Sequence, residues 1–152
     1  MRLTLDTNIL VYAVDRNAGE RHEIALDLVR RARETDCVLT LQSLAELFRV
    51  LTSPKLGVSP AQAGSIVQQW RDALPVVAAD EACLTDAMDA VTHNGWSFWD
   101  AMIWATAKRH GCRFLLSEDG QSGRTLGGVT VVNPFSRADA TLMAMALEND
   151  QS

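Results

Sequence analysis

The sequence predicts an α/β protein in which a parallel sheet of about five strands lies between helices. Short apolar runs alternate along the chain with longer segments whose apolar residues recur at helical spacing. The short runs are mostly apolar, as strands are when helices cover both faces of a sheet. The chain has 152 residues without an internal repeat or a break in composition, so we expect a single domain spanning residues 1–152.

The first third of the chain contains two of the predicted strands. In order, the pattern predicts a strand, two helices, a second strand and a third helix, at residues 2–5, 7–13, 22–34, 37–41 and 43–52. Ile24 and Leu28 give the second helix an apolar face, because residues four apart lie on the same side of a helix. Ser53-Pro54 ends the third helix, since the residue before a proline is disfavoured in helical conformation.

The later elements follow from similar start and stop signals. Ser59 and Pro60 begin a fourth helix as its cap and its first residue, and Asp80 caps a fifth helix that ends near His93. Gly111 ends a mostly apolar sixth helix. That sixth helix covers residues 98–110. The remaining predicted elements are strands at 74–79, 112–117 and 129–134, and a C-terminal helix and tail within 135–152.

Composition and charge argue against several classes of protein. No apolar run approaches the ~20 residues that span a bilayer, and the N-terminus lacks a secretory pattern, so we expect a cytoplasmic protein with no membrane partner. The three cysteines are widely spaced, which argues against a disulfide framework or a zinc site. The net charge of −5 is unlike that of a generic nucleic-acid-binding protein. If cations neutralised four of the 19 acids, however, 15 acids would face 14 bases, and local basic residues could still hold phosphate.

Four acidic residues occupy comparable places relative to the predicted strands. Asp6 directly follows the first strand and Asp119 lies just past the fourth, whereas Glu46 and Asp100 lie near the starts of helices. Ligands bind beyond the carboxyl ends of the strands in open parallel sheets, so all four side chains should face that edge. The spacing therefore predicts that acids distant in sequence converge in space.

Each acid also has a purely local interpretation. Asp6 could cap the helix that follows it, and Asp119-Gly120 could form an ordinary turn. Ser43–Glu46 and Ser97–Asp100 match or approach a capping box, with a hydroxyl first and an acid three residues later. For any one residue alone, local structure is the simpler explanation.

Taken together, the four acids indicate a metal site. Asp100 begins a helix that is mostly apolar, where an ionised carboxylate is costly unless it is paired or bound to a metal. Several carboxylates in one pocket would repel each other, and a divalent cation removes that conflict. Ligands that are all oxygen favour magnesium or manganese over zinc. One such ion, or two about 4 Å apart, would support hydrolysis of a phosphodiester bond.

Four segments of the chain also resemble the motifs of a known family. The four segments of this chain are LDTNILVY, SLAELFRV, FWDAMIWATAKRHG and FLLSEDGQSG. In order and spacing they are similar to the acidic motifs of PIN-domain ribonucleases. Within that family they most resemble the VapC-type toxins of bacterial toxin–antitoxin pairs. The resemblance covers about residues 1–134. It implies a PIN-like α/β/α sandwich, magnesium-dependent endonucleolytic cleavage of RNA, a homodimer, and an antitoxin that blocks the site.

The resemblance also implies roles for individual residues. Asp6 and Asp100 would be the main metal ligands of the catalytic site, and Glu46 and Asp119 would hold a second ion or orient bound water. The polar residues that accompany the first and fourth acids would bind phosphate or position ligands: Asn8 and Ser117.

Two other functions fit parts of this pattern. A catalytically silent binding module of the same fold could keep the carboxylates as caps, or bind metal without turnover, and regulate a partner protein or nucleic acid. A phosphoacceptor receiver domain also carries acids at the carboxyl edge of a sheet, but it needs paired acids after the first strand and a lysine after a late one. Here Asp-Thr-Asn stands at residues 6–8, and Ser117-Glu118-Asp119 follows the fourth strand. These residues disfavour the receiver domain and leave the endoribonuclease as the favoured interpretation.

Other charged residues lie near these motifs. Glu118 should point away from its neighbour Asp119, because successive side chains of an extended strand alternate. Several basic residues could contact phosphate, although solvated surface positions are the simpler interpretation: Arg16, Arg21, Arg49, Lys55 and Arg124.

Overall fold

In the computed structural model, which describes residues 1–119 and 121–148, a six-stranded sheet lies between helices. The strands are β1 Leu3–Leu5, β2 Cys37–Thr40, β3 Val76–Val77, β4 Phe114–Leu116, β5 Thr125–Leu126 and β6 Val129–Val132. The helices are α1 Thr7–Val14, α2 Glu20–Ala32, α3 Leu41–Leu51, α4 Pro60–Ala73, α5 Glu81–Asn94, α6 Phe98–Arg109 and α7 Ala140–Ala146. Short 3₁₀ turns at Arg16–Ala18 and Arg137–Asp139 precede α2 and α7. The predicted α/β fold is confirmed.

The strand order β3-β2-β1-β4-β6-β5 places β1 in the interior of the sheet. Every neighbouring pair is parallel except β5 and β6, which are antiparallel. The chain passes from β1 to β2 on one side and later adds β4 on the other, so the strand order reverses between β1 and β4. Ligands of open α/β sheets bind outside the carboxyl ends of the strands at such a reversal. Asp6 follows β1 and Ser117 follows β4 at this point.

The short strand β5 goes beyond the five predicted strands. It pairs with β6 around Gly127-Gly128, whose φ angles are +56° and +82°. A two-residue hairpin turn with positive φ at both positions favours glycine, which carries no Cβ. Because β5 has only two residues, it has no apolar run of its own, and its signal in the sequence is the turn rather than the periodicity.

Strand residues alternate between two cores, one on each face of the sheet. One core contains Leu3, Leu5 and Leu116, packed with α1, α2 and α3. The other contains Leu115 and Val131, packed with α5 and α6. Successive side chains of a strand point to opposite faces. Both faces are covered, so the strands appear in the sequence as mostly apolar runs, with threonine as the polar residue within β1 and β6.

Helices α1, α5 and α6 agree with the prediction to within one residue, whereas α2 begins and ends two residues earlier than predicted, and α3 and the C-terminal helix also differ. Helix α3 begins at Leu41, because Thr40 is its N-cap and the Thr40 hydroxyl accepts a hydrogen bond from the Ser43 backbone N–H at 3.1 Å. The terminal helix is shorter than predicted and covers only Ala140–Ala146 after its 3₁₀ turn. Residues 149–152 of the predicted tail lie outside the described residues.

The structure also bears on two features that the sequence disfavours, a disulfide framework and a membrane-spanning helix. Cys37, Cys83 and Cys112 are all buried free thiols. Burial raises the pKa of Cys37 and of Cys112 to about 12, so these two thiols stay protonated and unreactive at neutral pH. Within residues 1–119 and 121–148, none of the helices has the length and apolar character needed to cross a bilayer.

Candidate metal centre

Asp6 lies at the junction of β1 and α1, where its carboxylate has two fixed partners. Asp6 is the N-cap residue of α1, and one of its oxygens accepts a hydrogen bond from the backbone N–H of Thr7, the first residue of the helix, at 2.7 Å. The other oxygen accepts from the hydroxyl of Ser117, just past β4, at 2.7 Å. Asp6 is only 7% exposed, so its carboxylate is largely removed from water.

Asp100 and Asp119 bring two more carboxylates to the same place. Asp100 lies in the first turn of α6, where the hydroxyl of Ser97 donates to it at 2.7 Å. Asp119 follows β4, and its backbone N–H donates to the hydroxyl of Ser117 at 3.1 Å. One carboxylate oxygen from each of Asp6, Asp100 and Asp119 lies within 4.8 Å of the others. The pairing of β1 with β4 brings Asp6 and Asp119 together, and the start of α6 adds Asp100.

Glu46 faces the same cavity but stands apart from this group. It lies on the second turn of α3, and its carboxylate accepts a hydrogen bond from the hydroxyl of Thr7 at 2.9 Å. Together with the three aspartates it lines an open cavity of about 330 Å³. Its oxygens are not among those grouped within 4.8 Å. The structure therefore brings three of the four predicted acids into one cluster and places the fourth on the wall beside them.

Helix capping accounts for Asp6 but a capping box accounts for neither Glu46 nor Asp100. Helix α3 is capped by Thr40 rather than Ser43, so the capping-box interpretation of Glu46 is wrong. Ser97 makes no side-chain hydrogen bond to a backbone N–H at the start of α6, and its hydroxyl donates to Asp100 instead. A capping box therefore accounts for neither carboxylate, although Asp100 lies in a first helical turn, where the helix dipole favours an acid.

Burial and the neighbouring negative charges raise the pKa of two of the clustered carboxylates, Asp6 and Asp119. Burial raises the pKa of Asp6 from its ordinary 3.8 to about 7, and the charges of Asp119 and Asp100 act in the same direction. The hydrogen bonds from Ser117 and Thr7 oppose this shift. Burial, and then the charge of Asp100, raises the pKa of Asp119 as well. No Lys or Arg among the described residues forms an ion pair with the cluster, so a cation would relieve its repulsion.

The cluster has the dimensions and chemistry of a site for a small divalent cation. One carboxylate oxygen from each of the three aspartates lies within 4.8 Å of the others, which is close enough for all three to reach one small ion with metal–oxygen distances of ~2.1 Å. Asn8 lines the same cavity, and its amide oxygen is buried and accepts no hydrogen bond from the described residues. Buried polar atoms nearly always have a partner. A ligand or its bound water would supply one here.

Glu118 points away from the cluster, as the alternation of extended residues predicts. Its carboxylate accepts hydrogen bonds from the hydroxyl of Tyr12 at 2.8 Å and from the guanidinium of Arg21 at 2.5 Å. Arg21 is therefore engaged by Glu118 rather than facing the acids. The alternative turn at Asp119-Gly120 includes Gly120, which lies outside the described residues.

A second, mostly apolar cavity of about 650 Å³ adjoins the acidic one. The two share Gln42, Glu46 and Trp99 in their walls. Trp99 is 61% exposed, so this aromatic side chain lies open to a binding partner beside the acids. Lys55 lines the acidic cavity and Arg49 the apolar one. Unlike Arg21, these two basic residues form no ion pair with any described residue, so each can contact a negatively charged ligand.

Two residues of the site were not among those predicted. Thr7 connects two of the acids, because its backbone N–H donates to Asp6 and its hydroxyl donates to Glu46. Tyr12 lines the acidic cavity and donates to Glu118. Both lie on α1, the helix that Asp6 begins. The position of that helix over the sheet edge was the only signal in the sequence that could have suggested them.

A family model for the PIN domain matches residues 3–125. The match spans most of the chain and includes all four acids of the cavity. The chain belongs to the PIN domain family. The parallel sheet, the helices on both faces and the acids at its carboxyl edge are thus features of a PIN domain.

Several solved structures are similar to this PIN domain. VapC20 of Mycobacterium tuberculosis, a Sarcin-Ricin loop cleaving toxin, is 16% identical with a TM-score of 0.60, over 74% of this chain and 86% of that chain. VapBC2 from Rickettsia felis, bound to a promoter DNA fragment, is 18% identical with a TM-score of 0.62, over 86% and 97%. VapBC-1 from nontypeable Haemophilus influenzae is 15% identical with a TM-score of 0.64, over 90% and 100%. These similarities establish the fold, and no curated protein matches the chain by sequence.

Proposed function

We propose that this PIN domain is a metal-dependent endoribonuclease that hydrolyses phosphodiester bonds of RNA and acts as the toxin of a toxin–antitoxin pair. The observation that carries the proposal is the cluster of Asp6, Asp100 and Asp119, which has no cationic partner among the described residues. The cluster lies where the strand order reverses, which supports a role in binding and catalysis. The similarity to a Sarcin-Ricin loop cleaving toxin supports RNA as the substrate.

The acidic side chains hold and complete the metal site in this proposal. Asp6, Asp100 and Asp119 bind a magnesium ion, or manganese in its place. When bound, such an ion polarises a phosphoryl oxygen and lowers the pKa of a coordinated water. Glu46, held by the hydroxyl of Thr7, faces the cavity from α3 and orients a water or a second ion.

Polar residues around the acids position the ligands and the substrate. Ser117 fixes the rotation of the Asp6 carboxylate through its 2.7 Å hydrogen bond. Asn8 offers its buried amide oxygen to the cavity, where it can orient a water molecule. Lys55 lines the same cavity and places a positive charge beside a bound phosphate. These residues supply orientation and charge balance, while the carboxylates supply the metal ligands.

A protein partner and a second copy of the chain complete the proposal. Leu41 and Trp99 are large apolar side chains that line the apolar cavity and are exposed, and the exposed ring of Phe98 packs against Trp99. Contiguous exposed apolar surface commonly marks a protein interface. The VapBC complexes among the similar structures support an antitoxin as the partner, which would cover the acids and block them. A homodimer, a single domain over residues 1–152 and a cytoplasmic location remain predictions.

The purified protein should cleave a mixed RNA pool only when magnesium or manganese is present. Excess chelator should abolish cleavage, because the clustered carboxylates alone repel a phosphodiester and offer it no electrophile. Asp6→Asn, which keeps the shape of the side chain but removes its charge, should be inactive with metal present. Gel analysis and sequencing of the products would follow the reaction.

Two outcomes of this assay would count against the proposal. Cleavage that persists in excess chelator would remove the role of the metal, and equal rates for Asp6→Asn and the wild type would remove the role of the cluster. Metal binding without cleavage of any RNA would favour the catalytically silent binding module instead.

A further inference from the structure

A network of side chains lies beside the three carboxylates and is centred on Glu118. One Glu118 oxygen accepts a hydrogen bond from the Tyr12 hydroxyl at 2.8 Å, and the other accepts from the Arg21 guanidinium at 2.5 Å. Tyr12 belongs to α1, Arg21 to α2, and Glu118 to the segment after β4. The network therefore ties the end of β4 to two helices that are far from it in sequence.

Aromatic packing holds the basic member of this network in place. The Arg21 guanidinium carbon lies 5.9 Å from the centre of the Tyr12 ring and 5.4 Å from that of Phe135. The two rings meet edge to face, with their centres 5.3 Å apart. Such contacts fix the direction of a long side chain that would otherwise sample many conformations in water. We call Tyr12, Arg21, Glu118 and Phe135 the Glu118 network.

The segment 117–119 is held from two sides. Ser117 turns inward and donates to Asp6 at 2.7 Å, whereas Glu118 turns outward to Tyr12 and Arg21. Between them, the Asp119 backbone N–H donates to Ser117 Oγ at 3.1 Å. Asp119 is the exposed member of the carboxylate cluster, and repulsion from the other two acids would drive it toward solvent. A fixed backbone at residues 117–119 limits this movement and keeps the Asp119 side chain within reach of the other two acids.

We propose that Tyr12, Arg21 and Glu118 are positioning residues that hold Asp119 in the carboxylate cluster and thereby set the affinity of the site for a divalent cation. The metal-binding part rests on the proposed function, whereas the holding of Asp119 does not. If Tyr12, Arg21 and Glu118 formed only a surface contact, substitutions in them would have a different effect. Exposed ion pairs contribute little to global stability, so a surface contact without this role would change neither Asp119 nor metal binding when removed.

The test compares two variants of the network with one matched control in the full chain. Tyr12→Phe removes a single hydroxyl and keeps the ring that packs on Phe135. Glu118→Ala removes the acceptor of both hydrogen bonds. The control is Asp36→Ala, because Asp36 also pairs with an exposed arginine, Arg2, but lies before β2 at the opposite edge of the sheet.

Two measurements on these proteins separate the parts of the proposal. Amide hydrogen exchange by NMR, on metal-free protein, should show the Asp119 N–H exchanging about tenfold faster or more in both network variants and unchanged in the control. Titration with Mn²⁺ should show dissociation constants about tenfold weaker in both network variants. Melting temperatures should fall no further than in Asp36→Ala.

The opposite results would overturn the proposal. It fails if both network variants keep Asp119 exchange and Mn²⁺ affinity within about twofold of wild type, while Asp119→Asn itself weakens Mn²⁺ binding. It also fails if the variants only lower the melting temperature. If the wild type binds no Mn²⁺, the proposed function fails, and the exchange rates of the metal-free proteins still decide whether the network holds Asp119.

Discussion

Replacing Asp100 by asparagine should lower metal-dependent RNA cleavage by more than about 100-fold and leave the fold intact. Removing a group that only orients a metal ligand typically costs ~10–100-fold in metal affinity or activity, and Asp100 would contribute a ligand and its charge directly. Asparagine keeps an oxygen that can accept the hydrogen bond from Ser97, so the start of α6 should not change. Initial cleavage rates at saturating magnesium, with circular dichroism of the same samples, would measure both effects.

An exposed acid on a neighbouring helix provides the matched control for this substitution. Asp89 lies on α5 and does not line the acidic cavity. Asp89→Asn makes the same chemical change, and its cleavage rate should stay within about twofold of the wild type. A folded Asp100→Asn protein that cuts RNA at the wild-type rate would show that Asp100 is not a metal ligand. Equal losses in both variants would point to net charge rather than to the site.

The metal-free protein should become less stable as the pH rises from about 4 to about 8, and Asp6→Asn should lose much less stability over this range. Folding raises the pKa of Asp6 from 3.8 to about 7. Protonated Asp6 therefore favours the folded state; this contribution is complete below about pH 4 and is lost as the pH rises through about 7. The shift corresponds to ~4 kcal/mol in the free energy of unfolding. Asparagine does not titrate, so Asp6→Asn should be the more stable protein at pH 8.

Urea unfolding in chelator at a series of pH values would measure this difference, with Asp89→Asn as the control that follows the wild type. Adding magnesium at pH 8 should raise the free energy of unfolding of the wild type, because the ion compensates the buried charge, and should change Asp6→Asn little. If the free energies of unfolding of the wild type and Asp6→Asn changed equally with pH, the pKa of Asp6 would not be raised by folding, and this prediction would be wrong.

The fold could be predicted from the sequence because its strands are covered on both faces. Leu3, Leu115 and Val131 all lie in mostly apolar runs, although they pack in different cores, and that pattern distinguishes a covered parallel sheet from an exposed one. The start of α3 could not be predicted to the residue, since Thr40 and Ser43 are both competent caps. Only the path of the chain leaving β2 decides between them.

The contents of the site were predictable only in part. Parallel strands end at one edge, so Asp6 and Asp119 could be expected to meet from their places after β1 and β4. The hydrogen bond from Thr7 to Glu46 depends on how closely α1 and α3 approach each other, which periodicity does not reveal. The Glu118 network depends in the same way on the packing of α1, α2 and the segment after β6.

Diffraction from crystals grown with Mn²⁺, measured at a wavelength where manganese scatters anomalously, would test the central claim most directly. A shared counter-ion predicts an anomalous peak bound by oxygens of Asp6, Asp100 and Asp119, and no peak there in crystals of Asp100→Asn. Wild-type crystals in millimolar Mn²⁺ that show no peak at this place, with the three carboxylates hydrogen-bonded to one another instead, would contradict it.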